Sequence, residues 1–153
     1  MREKVEHRVG VQAPAEAVWP MIADIAGWGA WNPLYPRAQG VLRIGERLSL
    51  DVALPDQPVR AIRPTVVDWV PNEQVIWRLS MLGGLVKSVR YIEIEALSET
   101  ACIVSNGEIF DGLLGPTIAR RLRAALKAGF AAMGEAVKAR AEGALRQDAG
   151  GPS

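Results

Sequence analysis

One cysteine, one histidine, almost no net charge and no long apolar run: each shortage in this sequence closes off a class of function. Cys102 cannot form an internal disulfide alone, and with His7 as the single histidine there is no Cys/His cluster from which to build a zinc site. Neither a metal nor a cofactor is expected. Eighteen Lys and Arg against seventeen Asp and Glu leave a formal charge of +1. The chain therefore lacks the overall positive field that draws proteins onto phosphate backbones, and nucleic acid is not an expected partner. No apolar stretch approaches the ~18 residues needed to cross a bilayer. The charged start Met1-Arg2-Glu3-Lys4-Val5-Glu6-His7 has no signal-peptide core. These features predict a soluble, cytoplasmic protein without stable membrane insertion. A phosphate-cradling glycine loop, a nucleophile elbow and a dinucleotide fingerprint are also missing, which disfavours kinase, hydrolase and dehydrogenase chemistry.

What is present is enough for a core: 49% of the 153 residues are hydrophobic, in a length that suits one domain. That domain is expected over residues 1–146, followed by a disordered tail over 147–153. Residues 4–12 alternate, with Val5, His7, Val9 and Val11 on one face, as in a half-buried strand. Pro14 then marks a helix start through Val18, Trp19 and Ile22, and Pro20 inside it predicts a kink or an early stop. Residues 24–36, rich in Gly, Pro and Trp, read as a compact loop or a second short helical turn. Strands are predicted at 47–53, 59–70, 75–81, 86–96 and 101–110. The turns between them are too short for parallel crossovers, so the meander is antiparallel. From Gly115-Pro116 runs a stretch of roughly 30 residues without proline. Ile118, Leu122, Ala125, Leu126, Gly129, Phe130, Met133 and Val137 share one arc of it, the mark of a wide-faced amphipathic helix.

Three segments carry a family resemblance. Val11-Gln12-Ala13-Pro14-Ala15-Glu16-Ala17-Val18-Trp19 forms a strand-to-helix junction; Asp24 precedes Trp28-Gly29-Ala30-Trp31-Asn32-Pro33; and Glu108-Ile109-Phe110-Asp111-Gly112-Leu113-Leu114 joins the last strand to the long helix. In this order they resemble the START, Bet v 1 and polyketide cyclase superfamily, in its bacterial cyclase/dehydrase-like branch. The resemblance implies an α+β helix-grip fold: a curved antiparallel sheet of about six to seven strands around a long C-terminal helix, with two short helices after the first strand. It also implies an internal cavity for a hydrophobic small molecule. Activity does not follow from shape in so diverse a group.

Candidate residues follow from where such a cavity would lie. If Phe110 points inward, alternation takes Glu108, Asn106, Val104 and Cys102 with it, and Arg90, Ile92 and Ile94 face in from the strand before. Arg90 and Glu108 then form a buried pair, or hold a polar group of a ligand. Trp77 and Met81 share a strand face with Val75 and Leu79, and Trp28 and Trp31 stand in the loop that caps one end of the cavity in this family. On the long helix Leu122, Leu126, Gly129 and Met133 face the same space. Gly129, unfavourable in a helix by roughly 1 kcal/mol relative to alanine, either leaves room for a ligand or lets the sheet pack closely. Trp19 and Trp69 read as core. Arg120, Arg121, Arg123 and Lys127 form a solvated face, or one that meets an anionic ligand or membrane surface.

Two functions follow. The first is binding, with transport or sequestration, of a lipid, aromatic or polyketide-like compound. The alternative is a cofactor-independent cyclase or dehydratase in which Glu108 or His7 moves a proton. Transient membrane contact, a homodimer and a protein-interaction role stay open.

Overall fold

The computed structural model describes residues 2–149. Strand β1 (Glu3–Val11) alternates as its sequence demands, with Val5 and Val11 buried and Lys4, Arg8 and Gly10 exposed. Helix α1 (Ala15–Ala23) starts after Pro14, which is extended at φ −71° and ψ 157°. Pro20 supplies no amide, and the helix ends three residues later, where the Asp24 amide donates to the Pro20 carbonyl at 3.1 Å. A 3-10 helix, Ile25–Ala30, follows.

The remaining strands are β2 (Arg37–Gln39), β3 (Ser49–Val52), β4 (Arg60–Ile62), β5 (Thr65–Val70), β6 (Gln74–Met81), β7 (Val86–Ala96) and β8 (Cys102–Asp111). They form two antiparallel sheets, a large one in the order β1-β8-β7-β6-β5 and a small one in the order β2-β3-β4. The single strand predicted over 59–70 is thus two strands in different sheets. The break falls at Arg63-Pro64, where proline has no N–H to continue a ladder. Pairing between β5 and β6 ends at Thr65–Arg78, so Leu79, Ser80 and Met81 pair with β7 on one side and face a gap on the β5 side. Strand β2, three residues long, gave no sequence signal.

Helix α2 (Gly115–Ala149) has 35 residues, about 52 Å at 1.5 Å per residue. It packs on β1, β7 and β8 through Ala119, Leu126, Phe130, Met133, Val137 and Ala141. It continues through Gln147 to Ala149, so the tail predicted from 147 does not begin there; the rest of that prediction lies outside the described residues. The cations at its start are partly accounted for by β1: Arg120 and Arg123 reach Glu3 at 3.5 and 2.7 Å, while Arg121 and Lys127 are exposed. Among the described residues no helix is long and apolar enough to cross a membrane.

The outer face of the large sheet has one tight crossing. Tyr91 on β7 lies over Gly107 on β8, its hydroxyl donates to Glu6 of β1, and the Lys4 ammonium sits 5.5 Å from the ring centre. A Cβ on Gly107 would collide with the Val5 carbonyl oxygen and stand 2.7 Å from the Tyr91 hydroxyl. Only glycine fits.

Candidate functional site

The site is built from adjacent inward positions of β7 and β8. Arg90 pairs with Glu108 across the ladder, so both side chains emerge on the face toward α2. Arg90 Nε and Glu108 Oε1 are 3.0 Å apart, with side chains 8% and 2% exposed. The two atoms face each other electrostatically but outside hydrogen-bond geometry, so each keeps capacity for a further polar partner. Arg90 Nη1 donates to the Tyr35 hydroxyl at 3.0 Å, and the guanidinium carbon lies 5.9 Å from the Tyr35 ring centre and 5.8 Å from that of Phe130. Burial opposes the charge on Arg90, but Glu108 and the Tyr35 hydroxyl outweigh it and hold the guanidinium protonated. Burial likewise pushes the Tyr35 phenol up, against the pull of Arg90.

Beside this pair lies a partly open cavity of about 80 Å³ between the sheets and α2. Its walls are apolar, with Val52, Leu54, Ile62, Leu79, Met81, Phe110, Ile118, Leu122 and Leu126; Arg90, Glu108, Arg60 and Gln57 are its polar points. Sites for drug-sized ligands enclose about 300–1,000 Å³, so this cavity takes such a ligand only by widening. Leu54, Leu79, Met81, Ile118 and Leu122 are half-buried, and Met81 adds an unbranched, flexible side chain to that wall. The cavity adjoins a larger rift of about 880 Å³ at the gap between β4 and β6, and Arg60, Ile62, Leu79 and Met81 line both.

Of the candidates from sequence, Met81, Arg90, Glu108, Phe110, Leu122 and Leu126 surround the cavity. The others do not line it. Trp28 and Trp77 are fully buried in an aromatic cluster with Tyr35, at centroid distances of 5.2 Å for Trp28–Tyr35, 6.0 Å for Trp28–Trp77 and 6.3 Å for Tyr35–Trp77. The Trp28 indole donates to the Ile22 carbonyl at 3.2 Å, which fixes it as a core residue. Trp31 packs half-buried against the core. Asn106 is used by the helix: its amide donates to the Phe130 carbonyl at 3.0 Å. Met133 lies buried in the core farther along α2. The space over Gly129 is filled, since a Cβ there would come within 2.7 Å of Leu54 Cδ2 and 3.0 Å of Leu34 Cδ1. His7 faces Gly134 on α2, away from the cavity. As expected, Trp19 and Trp69 belong to the hydrophobic packing, stacked on each other at 6.2 Å.

Sequence reasoning missed Tyr35, Leu54 and Ile62. Tyr35 sits in a Pro-rich loop without periodicity, and Leu54 lies two residues past the end of β3; only the strand phase of Ile62 offered a signal.

Comparison with known proteins agrees with this architecture. The structure is similar over the full length of both chains to the Zhui aromatase/cyclase from Streptomyces sp. R1128, at 22% identity and a TM-score of 0.78. It is similar to a START superfamily protein from Mycobacterium smegmatis, at 20% identity and a TM-score of 0.71 over 92% of this chain and 98% of that one. A norcoclaurine synthase point mutant from Thalictrum flavum aligns at 15% identity and a TM-score of 0.70, over 95% of this chain and 97% of that one. No curated protein matches in sequence. The family described as polyketide cyclase / dehydrase and lipid transport matches residues 2–142. With a match over nearly its whole length and the sheet-around-helix architecture to go with it, the chain belongs to that family.

Proposed function

We propose that this protein binds a hydrophobic small molecule, of lipid, aromatic or polyketide-like character, between its large sheet and α2. The observation that carries the reading is the cavity itself: an apolar wall interrupted deep inside by one buried ion pair, Arg90–Glu108, with unfilled hydrogen-bonding capacity. Apolar walls supply affinity roughly in proportion to buried area, and a few convergent polar groups fix orientation. The family description names lipid transport beside polyketide cyclases and dehydrases, which agrees with a hydrophobic ligand.

The test is titration with a panel of lipid-like and aromatic compounds, read by native mass spectrometry and by fluorescence of the buried tryptophans. Saturable one-to-one binding, lost in Leu122→Trp, is the expected result. A wild type that takes up none of the panel would overturn the reading.

A second reading, a cofactor-independent cyclase or dehydratase, is favoured by one feature: Glu108 is a carboxylate inside the cavity with Arg90 beside it. In this reading the cavity folds a reactive chain into a near-attack conformation and Glu108 relays a proton. Turnover of a poly-β-ketone by wild type and by Glu108→Gln separates the two, since equal rates remove Glu108 from proton transfer.

A further inference from the structure

The rift at the gap between β4 and β6 is lined by Arg47, Arg60, Arg63, Arg78 and Lys87, and at its far end by Arg2 and Asp111. Arg2 is answered by Asp111 at 3.5 Å. Among the described residues the other five have no carboxylate within 4.0 Å. All five are exposed, and like charges gathered on one groove repel, so folding alone gives no reason to assemble them. The backbone explains their placement: where the β5–β6 ladder stops, Arg63 is carried to one lip of the gap, while Arg78 and Lys87 lie on the other. Arg60, together with Ile62, Leu79 and Met81, then continues from the rift into the cavity beside Arg90 and Glu108.

We propose that the rift is an anion-binding vestibule, and that the ligand is an amphiphile with a carboxylate or phosphate head. The guanidinium groups of Arg60, Arg63 and Arg78 hold the head, and the apolar part passes between Ile62, Leu79 and Met81 into the cavity. Arginine suits both head groups because its planar fork meets two oxygens at once. The assignment rests on the reading that the cavity takes a hydrophobic molecule.

Calorimetric titration tests it, using dodecyl phosphate, dodecanoate, dodecanol and inorganic phosphate against wild type and the Arg63→Gln/Arg78→Gln double variant, below micelle-forming concentrations and at low and high salt. An exposed cation contributes a factor of about 1.4 to 5, so the two anionic amphiphiles should bind wild type about five- to tenfold tighter than dodecanol. That ratio should shrink at high salt and fall toward one in the double variant. Equal affinity for anionic and neutral heads in wild type, or a preference undiminished by the double substitution, overturns the vestibule and leaves the cavity reading standing. Inorganic phosphate binding as tightly as dodecyl phosphate overturns the amphiphile. Failure of all three amphiphiles to bind overturns the vestibule and the cavity reading together. Arg63 and Arg78 are exposed, so the double variant should keep the wild-type melting temperature.

Discussion

Replacing Glu108 by glutamine keeps the shape of the side chain and removes its charge, leaving Arg90 charged in the interior. Arg90 would retain the Tyr35 hydroxyl at 3.0 Å and the Tyr35 and Phe130 rings at 5.9 and 5.8 Å. Among the described residues it would lose the one carboxylate within 4.0 Å. Breaking a buried pair from one side costs about 3–5 kcal/mol. Two ring faces, each contributing about 0.5–2 kcal/mol to a nearby cation, place the expectation at the low end, about 3 kcal/mol. For a domain of this size that lowers Tm by about 6–12 °C. Urea unfolding of wild type, Glu108→Gln, Arg90→Met and the Arg90→Met/Glu108→Leu double variant closes the cycle. The double variant should lie within about 1 kcal/mol of wild type, because two apolar residues leave no orphaned charge. Refutation would be a Glu108→Gln loss under about 1 kcal/mol, or a double variant as unstable as the sum of its parts.

Gly107→Ala should destabilise by about 2–4 kcal/mol in urea unfolding, since its Cβ meets the β1 backbone, whereas Gly129→Ala should change stability by less than about 1 kcal/mol, since only leucine side-chain ends must move and helix propensity improves. Equal effects at the two glycines would contradict this. Leu122→Trp, pointing a large ring at the cavity, should weaken uptake of a hydrophobic dye at least about tenfold while the fold persists by circular dichroism. Stability should also fall on acidification. Burial raises the Glu6 carboxyl, but the Tyr91 hydroxyl and Lys4 more than reverse it; the Gly112 amide lowers Asp111, and the Gln12 amide and Lys138 lower Glu142. Groups depressed in the fold contribute above their ordinary values of 4.5, 3.8 and 4.5, and that contribution is lost as pH falls through the lowered values. Urea midpoints should therefore drop from about pH 4.5 downward, less steeply in Glu142→Gln, and a pH-independent midpoint would count against these contacts.

How far the fold was legible depends on periodicity. β1, β6, β7, β8 and α2 were placed within a few residues, because each buries one face against a common core. The inward phase of Arg90 and Glu108 followed from Phe110 alone, even though Ser105 and Gly107 on the opposite face of β8 are buried too. The cavity wall was half legible. Residues on regular elements, such as Met81 and Leu122, follow from their phase. Trp28, Asn106 and Gly129 do not, because a correct inward direction says nothing about which neighbour already occupies the space. For Trp28 the neighbours are Tyr35 and Trp77, for Asn106 the Phe130 carbonyl, and for Gly129 the side chains of Leu34 and Leu54. The rift was invisible, since it depends on two strand segments parting at Pro64, and alternation counted within one strand carries no information on its partner.

The Tyr91–Gly107 crossing has a consequence for how this chain tolerates change. The alignment of β1, β7 and β8, which sets Arg90 opposite Glu108, is keyed from the solvent side by a ring lying in a notch and a hydroxyl reaching Glu6. The inner face is freed from that duty. Residues around the cavity can be exchanged to suit a different occupant without loosening the strand alignment that aims them, so recognition and registration are written on opposite sides of the same three strands.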